Sequence, residues 1–246
     1  MNLRFIDVVK RYNKKCVLDE VSFNIASGSC VGLVGNNGCG KTTTIEIMCN
    51  LLRYEQGEYL VNSTKVTPYY TSFKKEIGML LSKPSYIESF TIDEYWRFVG
   101  KYQGLSKSDI TTRIDSLHNL LSTNRERKEV IRKLSSGNKM KVSIGAALIH
   151  NPETFILDEP FVNLDVKTTH TIVDILRGFK KKKTMVITSH DLDTIANLCD
   201  EFLIMDQGKI ILRIHRENFT GTETLKEEIK ARLTGKENMQ NLAWLG

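Results

Sequence analysis

A lysine and a threonine closing a glycine-rich octet, Gly35-Asn36-Asn37-Gly38-Cys39-Gly40-Lys41-Thr42, are the residues of this chain best suited to holding phosphate. The spacing fits G-x-x-x-x-G-K-[ST], in which each residue type has a task. Glycines at 35, 38 and 40 take backbone angles that a side chain forbids. Successive N–H groups can then turn inward and form an anion nest at a helix N-terminus. Lys41 reaches the β- and γ-phosphates, and the Thr42 hydroxyl is placed to ligate Mg²⁺. Asn36, Asn37, Cys39 and Thr43 complete the loop and the first helical turn. A plain Gly-rich turn with a solvated lysine has no need of Lys and Thr in that register, so the octet implies a bound nucleoside triphosphate.

A second group supplies acid and base. Thr154-Phe155-Ile156-Leu157 reads as a buried strand ending in Asp158-Glu159-Pro160. This sets two carboxylates at the C-terminal edge of a parallel sheet, where α/β folds bind ligands. Asp158 suits the Mg²⁺ shell, often through a metal-bound water, and Glu159 can polarise an attacking water as general base. An acidic strand-end turn stopped by proline is the bland reading, and the neighbouring phosphate loop weighs against it. Leu134-Ser135-Ser136-Gly137-Asn138 precedes a run in which Met140, Ile144 and Leu148 recur at helical spacing, so a helix opens just after Ser-Ser-Gly. Its N-terminus is a further anion site, although an ordinary serine cap explains the segment when it is taken alone.

The elements that must position these groups are legible from patterning. Cys30-Val31-Gly32-Leu33-Val34 is a strand entering the phosphate loop, and a helix continues from Thr42 through Met48. Thr184 to Ser189 is another buried strand and delivers His190. From Leu3 to Val34, strand patterns alternate with turns such as Ala26-Ser27-Gly28-Ser29. Between about Lys83 and Lys133 the chain changes character, with Ile110, Ile114, Leu117 and Leu121 at helical spacing. Thr91-Ile92-Asp93-Glu94 opens a helix through Trp96 with a capping box. After about Arg213, Leu225, Ile229 and Leu233 mark a packed amphipathic helix, not a membrane anchor.

Taken as an ordered set, Gly35 to Thr42, Leu134 to Asn138, Phe155 to Glu159 and His190 resemble the nucleotide-binding subunit of ATP-binding cassette (ABC) transporters, from about Leu3 to Ile211. The resemblance implies an α/β fold: a P-loop NTPase core with a mixed or parallel sheet, an N-terminal antiparallel β subdomain and an inserted α-helical signature subdomain. Residues 1–246 would form one such domain, with a core lobe at about 1–82 and 151–212, a helical subdomain at about 83–150 and a tail at about 213–246. ATP and Mg²⁺ are the implied cofactors. Ser135 and Gly137 would act in trans, capping the γ-phosphate held by a partner's loop in a head-to-tail homodimer. Tyr12 resembles the aromatic that stacks on adenine; its plain alternative is a strand-end aromatic. Asn163-Leu164-Asp165 resembles the loop that crosses the dimer interface, and His190 the switch histidine that contacts the γ-phosphate.

Two positions depart from the family. Ser82 stands where Gln, sometimes Glu, contacts the metal, and its shorter hydroxyl reaches Mg²⁺ only through water. Ser-Ser-Gly-Asn replaces the usual Ser-Gly-Gly-Gln, and Ser136 sets a side chain close to phosphate, which implies a slower ATPase. Cys39, beside Lys41 at the positive end of a helix, is expected to have a lowered thiol pKa and to be reactive; the alternative is an inert small residue facing the core.

Composition bounds the rest. With 246 residues, 41% hydrophobic and 26% charged, the chain suits one cassette of ordinary globular type. No apolar stretch approaches the ~20 residues that span a bilayer, and the N-terminus lacks a signal-peptide core. The resemblance to the transporter subunit then implies the motor of a membrane exporter with separate integral membrane permease subunits, cytoplasmic and peripheral on the inner face of the cell membrane. The competing class is a soluble cassette ATPase of iron-sulfur assembly, translation or DNA repair. Five cysteines without C-x-x-C spacing suit a reducing compartment. The net charge of +6 is spread along the chain, and Lys180 to Lys183 suit a helix C-terminus, so nucleic acid is not an expected partner.

Overall fold

Alternation of apolar and polar residues near the N-terminus builds an antiparallel hairpin in the computed structural model, which describes residues 1–234. Strands β1 (Leu3–Tyr12) and β2 (Lys15–Ile25) pair antiparallel in a register that sets Phe5 opposite Phe23, their rings stacked at 4.6 Å. The chain then passes through β3 (Cys30–Gly35) and helix α1 (Lys41–Met48) before β4 (Gln56–Val61) and β5 (Thr64–Lys65) complete a four-stranded sheet in the order β2-β1-β4-β5.

A second sheet carries the chemistry. After β6 (Ile77–Leu80) come helices α2 (Ile92–Tyr102), α3 (Lys107–Leu121) and α4 (Ser136–Leu148), then β7 (Thr154–Asp158), α5 (Val166–Phe179), β8 (Thr184–Thr188), α6 (Leu192–Leu198), β9 (Glu201–Asp206), β10 (Lys209–His215) and α7 (Thr222–Thr234). The strand order is β10-β9-β3-β8-β7-β6, parallel throughout except for β10 at the edge. The fold is thus α/β with a mixed sheet and an antiparallel β subdomain. Every residue of β3, β7 and β8 is buried, as a parallel sheet covered on both faces requires. Side chains two apart share a face: Val31, Leu33, Ile156, Val186 and Leu203 pack toward the antiparallel sheet, whereas Cys30, Val34, Phe155, Leu157, Met185 and Ile187 pack toward the helices beyond.

Between β6 and β7 the helices form a layer of their own. The capping box is realised, with Thr91 Oγ1 accepting from the Glu94 N–H at 3.2 Å and the Thr91 N–H donating to Glu94 Oε2 at 2.8 Å. Ile110, Ile114, Leu117 and Leu121 are buried, as their spacing predicts. Helix α4 starts at Ser136, two residues before its sequence-predicted opening. Ser135 acts as its cap, accepting from the Asn138 N–H at 3.2 Å. Leu225 and Ile229 anchor α7 in the core. Residues 235–246 of the expected tail lie outside the described residues. No helix among the described residues is long and apolar enough to cross a membrane.

Candidate functional site

The phosphate-type loop is held by what its glycines exclude. A Cβ on Gly35 would lie 2.2 Å from the Met205 carbonyl oxygen and 2.5 Å from Cys39 Sγ, so β9 and the loop close on each other only over a glycine. Gly40, with φ of 116°, turns the chain into α1, whose first residue is Lys41. The Lys41 ammonium is buried and folded back across the loop, donating to the Gly35 carbonyl at 2.7 Å and the Asn36 carbonyl at 3.2 Å.

Thr42 opens the second part of the site. Its hydroxyl donates to Asp158 Oδ2 at 3.0 Å, joining α1 to the end of β7. The Thr188 hydroxyl donates to Asp158 Oδ1 at 2.6 Å, so both oxygens of this buried carboxylate are engaged. Glu159 leaves the strand with φ of 52°, a left-handed conformation unusual for a residue with a side chain. Its N–H donates to Thr188 Oγ1 at 2.9 Å, and its Oε2 accepts from the His190 N–H at 3.2 Å. His190 Nε2 lies 3.1 Å from Glu159 Oε1, within ion-pair distance but out of line for a hydrogen bond, which leaves that buried oxygen without a hydrogen-bond partner.

A cleft of about 320 Å³ brings together Asn37, Gly38, Gly40, Lys41, Thr42, Thr43, Ser82, Asp158, Glu159 and His190, residues far apart in the sequence. Val17 from β2 also lines it, a residue that strand patterning does not distinguish from its neighbours. Glu159 and His190 are shared with an adjoining cleft of about 450 Å³ that includes His170, which the sequence did not single out. Thr42, Ser82 and Asp158 present only oxygen donors, the set a hard divalent cation takes, and they fit Mg²⁺ in chemistry. Among the described residues no group of three or more His, Cys, Asp or Glu could hold a metal, so softer, nitrogen- or sulfur-bound ions have no cluster there.

The structure places the other sequence-predicted residues elsewhere. Tyr12 is exposed at the end of β1, with the Lys10 ammonium 5.3 Å from its ring centroid, and it does not line the cleft. Ser135 and Gly137 sit at the start of α4, outside the cleft, where a Cβ on Gly137 would come 2.8 Å from the Asn163 carbonyl oxygen. Asn36 turns away toward the C-terminal helix and donates to the Leu233 carbonyl at 3.1 Å. Cys39 requires a correction. Its thiol points into the core against Gly35, and burial pushes its pKa up despite the opposing influence of Lys41 and the loop N–H groups. The expected reactive thiolate is not what this loop makes, because desolvation outweighs the positive surroundings.

The family model described as ABC transporter matches residues 18–162. An uncharacterized ABC transporter ATP-binding protein of Methanocaldococcus jannaschii is 34% identical over 206 residues, which cover 83% of this chain and 74% of that protein. The linearmycin resistance ATP-binding protein of Bacillus subtilis is 31% identical, over 83% of this chain and 66% of its own length. A solved structure described as an ATP binding subunit of an ABC transporter superposes with a TM-score of 0.86 at 26% identity, covering 96% of this chain and all of that one.

Proposed function

The chain belongs to the ABC transporter family as an ATP-binding, ATP-hydrolysing cassette, and from that premise we propose that it is the motor subunit of an exporter. It would work as a head-to-tail homodimer on separate integral membrane permease subunits, peripheral on the cytoplasmic face of the membrane. The likeness to a cassette named for resistance to linearmycin supports the export reading. The absence of a membrane-spanning helix among the described residues fits attachment through a partner. The core lobe of about 1–82 and 151–212 would hold ATP, and the helical subdomain of about 83–150 would present Ser135 and Gly137 to the partner's ATP.

The observation that carries this reading is the convergence of Lys41, Thr42, Asp158, Glu159 and His190 on one cleft. On ATP binding the Lys41 ammonium exchanges the Gly35 and Asn36 carbonyls for β- and γ-phosphate oxygens. The loop N–H groups from Asn37 to Thr43 cradle the phosphates at the positive end of α1. Thr42, Asp158 and Ser82 would hold Mg²⁺, which when bound neutralises charge on the phosphate oxygens. Glu159 accepts the proton of the attacking water, with Oε2 steadied by the His190 backbone. The His190 ring, 3.1 Å from Glu159 Oε1, would contact the γ-phosphate. Tyr12, which does not line the cleft in this structure, would have to move toward it to stack on adenine.

Substitution of the general base tests the reading. Glu159→Gln keeps the side-chain shape and cannot take the proton, so ATP binding should persist, turnover should fall by roughly 10²- to 10⁴-fold, and an ATP-bound dimer should accumulate on a sizing column. A Glu159→Gln protein that hydrolyses ATP at the wild-type rate would refute the assignment.

A further inference from the structure

Among the residues that touch the site, Thr188 has no task in the chemistry above, yet it is hydrogen-bonded to both acidic residues, to the Asp158 carboxylate and to the Glu159 backbone N–H. It is the last residue of β8, and the parallel register pairs it directly with Asp158. Its neighbours Met185, Val186 and Ile187 are apolar, and its own exposure is 0%. A valine would fill the same volume with equal strand preference, and a buried hydroxyl is unfavourable unless it is hydrogen-bonded. Here the one oxygen donates to Asp158 Oδ1 at 2.6 Å and accepts from the Glu159 N–H at 2.9 Å, so its hydrogen-bonding capacity is directed at consecutive acidic residues.

We propose that Thr188 is a positioning residue that sets both carboxylates through one hydroxyl. By engaging Oδ1 it fixes the rotation of the Asp158 carboxylate, which leaves Oδ2 directed at Thr42. By accepting from the Glu159 N–H it holds that residue at φ of 52°, a conformation that persists only where surrounding contacts determine it. Released from this bond, Glu159 relaxes toward extended backbone, which the following Pro160 favours, and its carboxylate leaves the His190 N–H. The hydroxyl is fully buried and acts only through the two acidic residues. The inference rests on the reading of Asp158 and Glu159 as the hydrolytic pair.

The test compares Thr188→Val with Thr188→Ser in the full chain, beside Glu159→Gln. Thr188→Val should bind a fluorescent ATP analogue in EDTA within about twofold of wild type, because the phosphate loop is untouched. Its kcat should fall by about tenfold or more with KM changed far less, the signature of a misplaced group and not of lost binding. Thr188→Ser, which keeps the hydroxyl and loses the methyl, should recover most of the kcat. If Thr188→Val does not fold, Thr188→Ala is measured against the same expectations. The proposal is overturned if the hydroxyl-free variant turns over within about twofold of wild type while Glu159→Gln is inactive, or if Thr188→Ser is as impaired as Thr188→Val. A fully active Glu159→Gln would remove the underlying site reading, and the inference with it.

Discussion

Cys39 shows how, at the scale of one residue, orientation decides between two opposite chemistries. The neighbouring Lys41 ammonium and the loop N–H groups favour a thiolate, whereas loss of water opposes it, and the thiol faces the core beside Gly35. Cys49 behaves the same way in full burial, its pKa pushed up to about 12. Of the five thiols only Cys16 is exposed. Maleimide should therefore label Cys16 in the native protein and leave Cys39 unmodified with or without Mg-ATP, with Cys39 reacting only after denaturation, as read by mass spectrometry of the peptides. Native labelling of Cys39 that Mg-ATP prevents would reverse this assignment. The types and spacing of Lys41, Thr42, Asp158 and Glu159 could be read directly, because phosphate and water chemistry prescribes them within contiguous motifs. The direction of the Cys39 side chain could not, since a loop has no periodicity to reveal it. The bond from Thr188 to Asp158 was also out of reach, because it follows from the register of strands that lie far apart in the sequence.

Elements depend on contacts that cross between them, and the helical layer before β7 shows how. Trp96 of α2 donates its Nε1–H to the Val142 carbonyl of α4 at 2.8 Å, and its ring occupies the space that a Cβ on Gly145 would need, at 2.3 Å. Asp93, in the first turn of α2, draws in α3 and the segment after it. It accepts from His118 Nε2 at 2.7 Å and from Arg127 Nη2 at 2.9 Å. Partial burial pushes the Asp93 carboxyl pKa up, but the hydrogen bonds from Arg127 and His118 together bring it below the ordinary value. A carboxyl lowered in the folded state contributes stability that is complete above its unfolded pKa, about 3.9, and is lost as pH falls through the folded value. Asp93→Asn should therefore lower the melting temperature at neutral pH, and its deficit relative to wild type should shrink on acidification below about pH 4. A deficit that stays constant across thermal melts from neutral pH to about pH 3 would show that shape, not charge, carries the effect. Sequence located this layer well, since the capping box and the Ile110 to Leu121 spacing are local signals. The strand order β10-β9-β3-β8-β7-β6 is set by long-range pairing and leaves no such mark.

Across the whole molecule, the site divides into what one chain completes and what it leaves open. The loop, the carboxylates and His190 share a cleft, whereas Ser135 and Gly137 start α4 outside it, with Gly137 packed against the Asn163 carbonyl. If the start of α4 is the anion site proposed above, it lies outside its own chain's phosphate cleft, which is the arrangement a head-to-tail pair would complete. Complementation reads this directly. A Ser135→Arg subunit keeps a working loop but blocks the signature, and a Lys41→Ala subunit does the reverse, so each homodimer should be inactive. In an equal mixture about half of the dimers are mixed, and each of those joins one intact loop to one intact signature. With independent sites, turnover should recover to roughly a quarter of wild type. The measurement is ATPase rate against mixing ratio, with mixed dimers confirmed by differently tagged subunits. No recovery in dimers shown to be mixed would refute a head-to-tail pair with independent sites, full activity of Ser135→Arg alone would refute the pairing of Ser135 with a partner's loop, and full activity of Lys41→Ala alone would refute the phosphate role of Lys41.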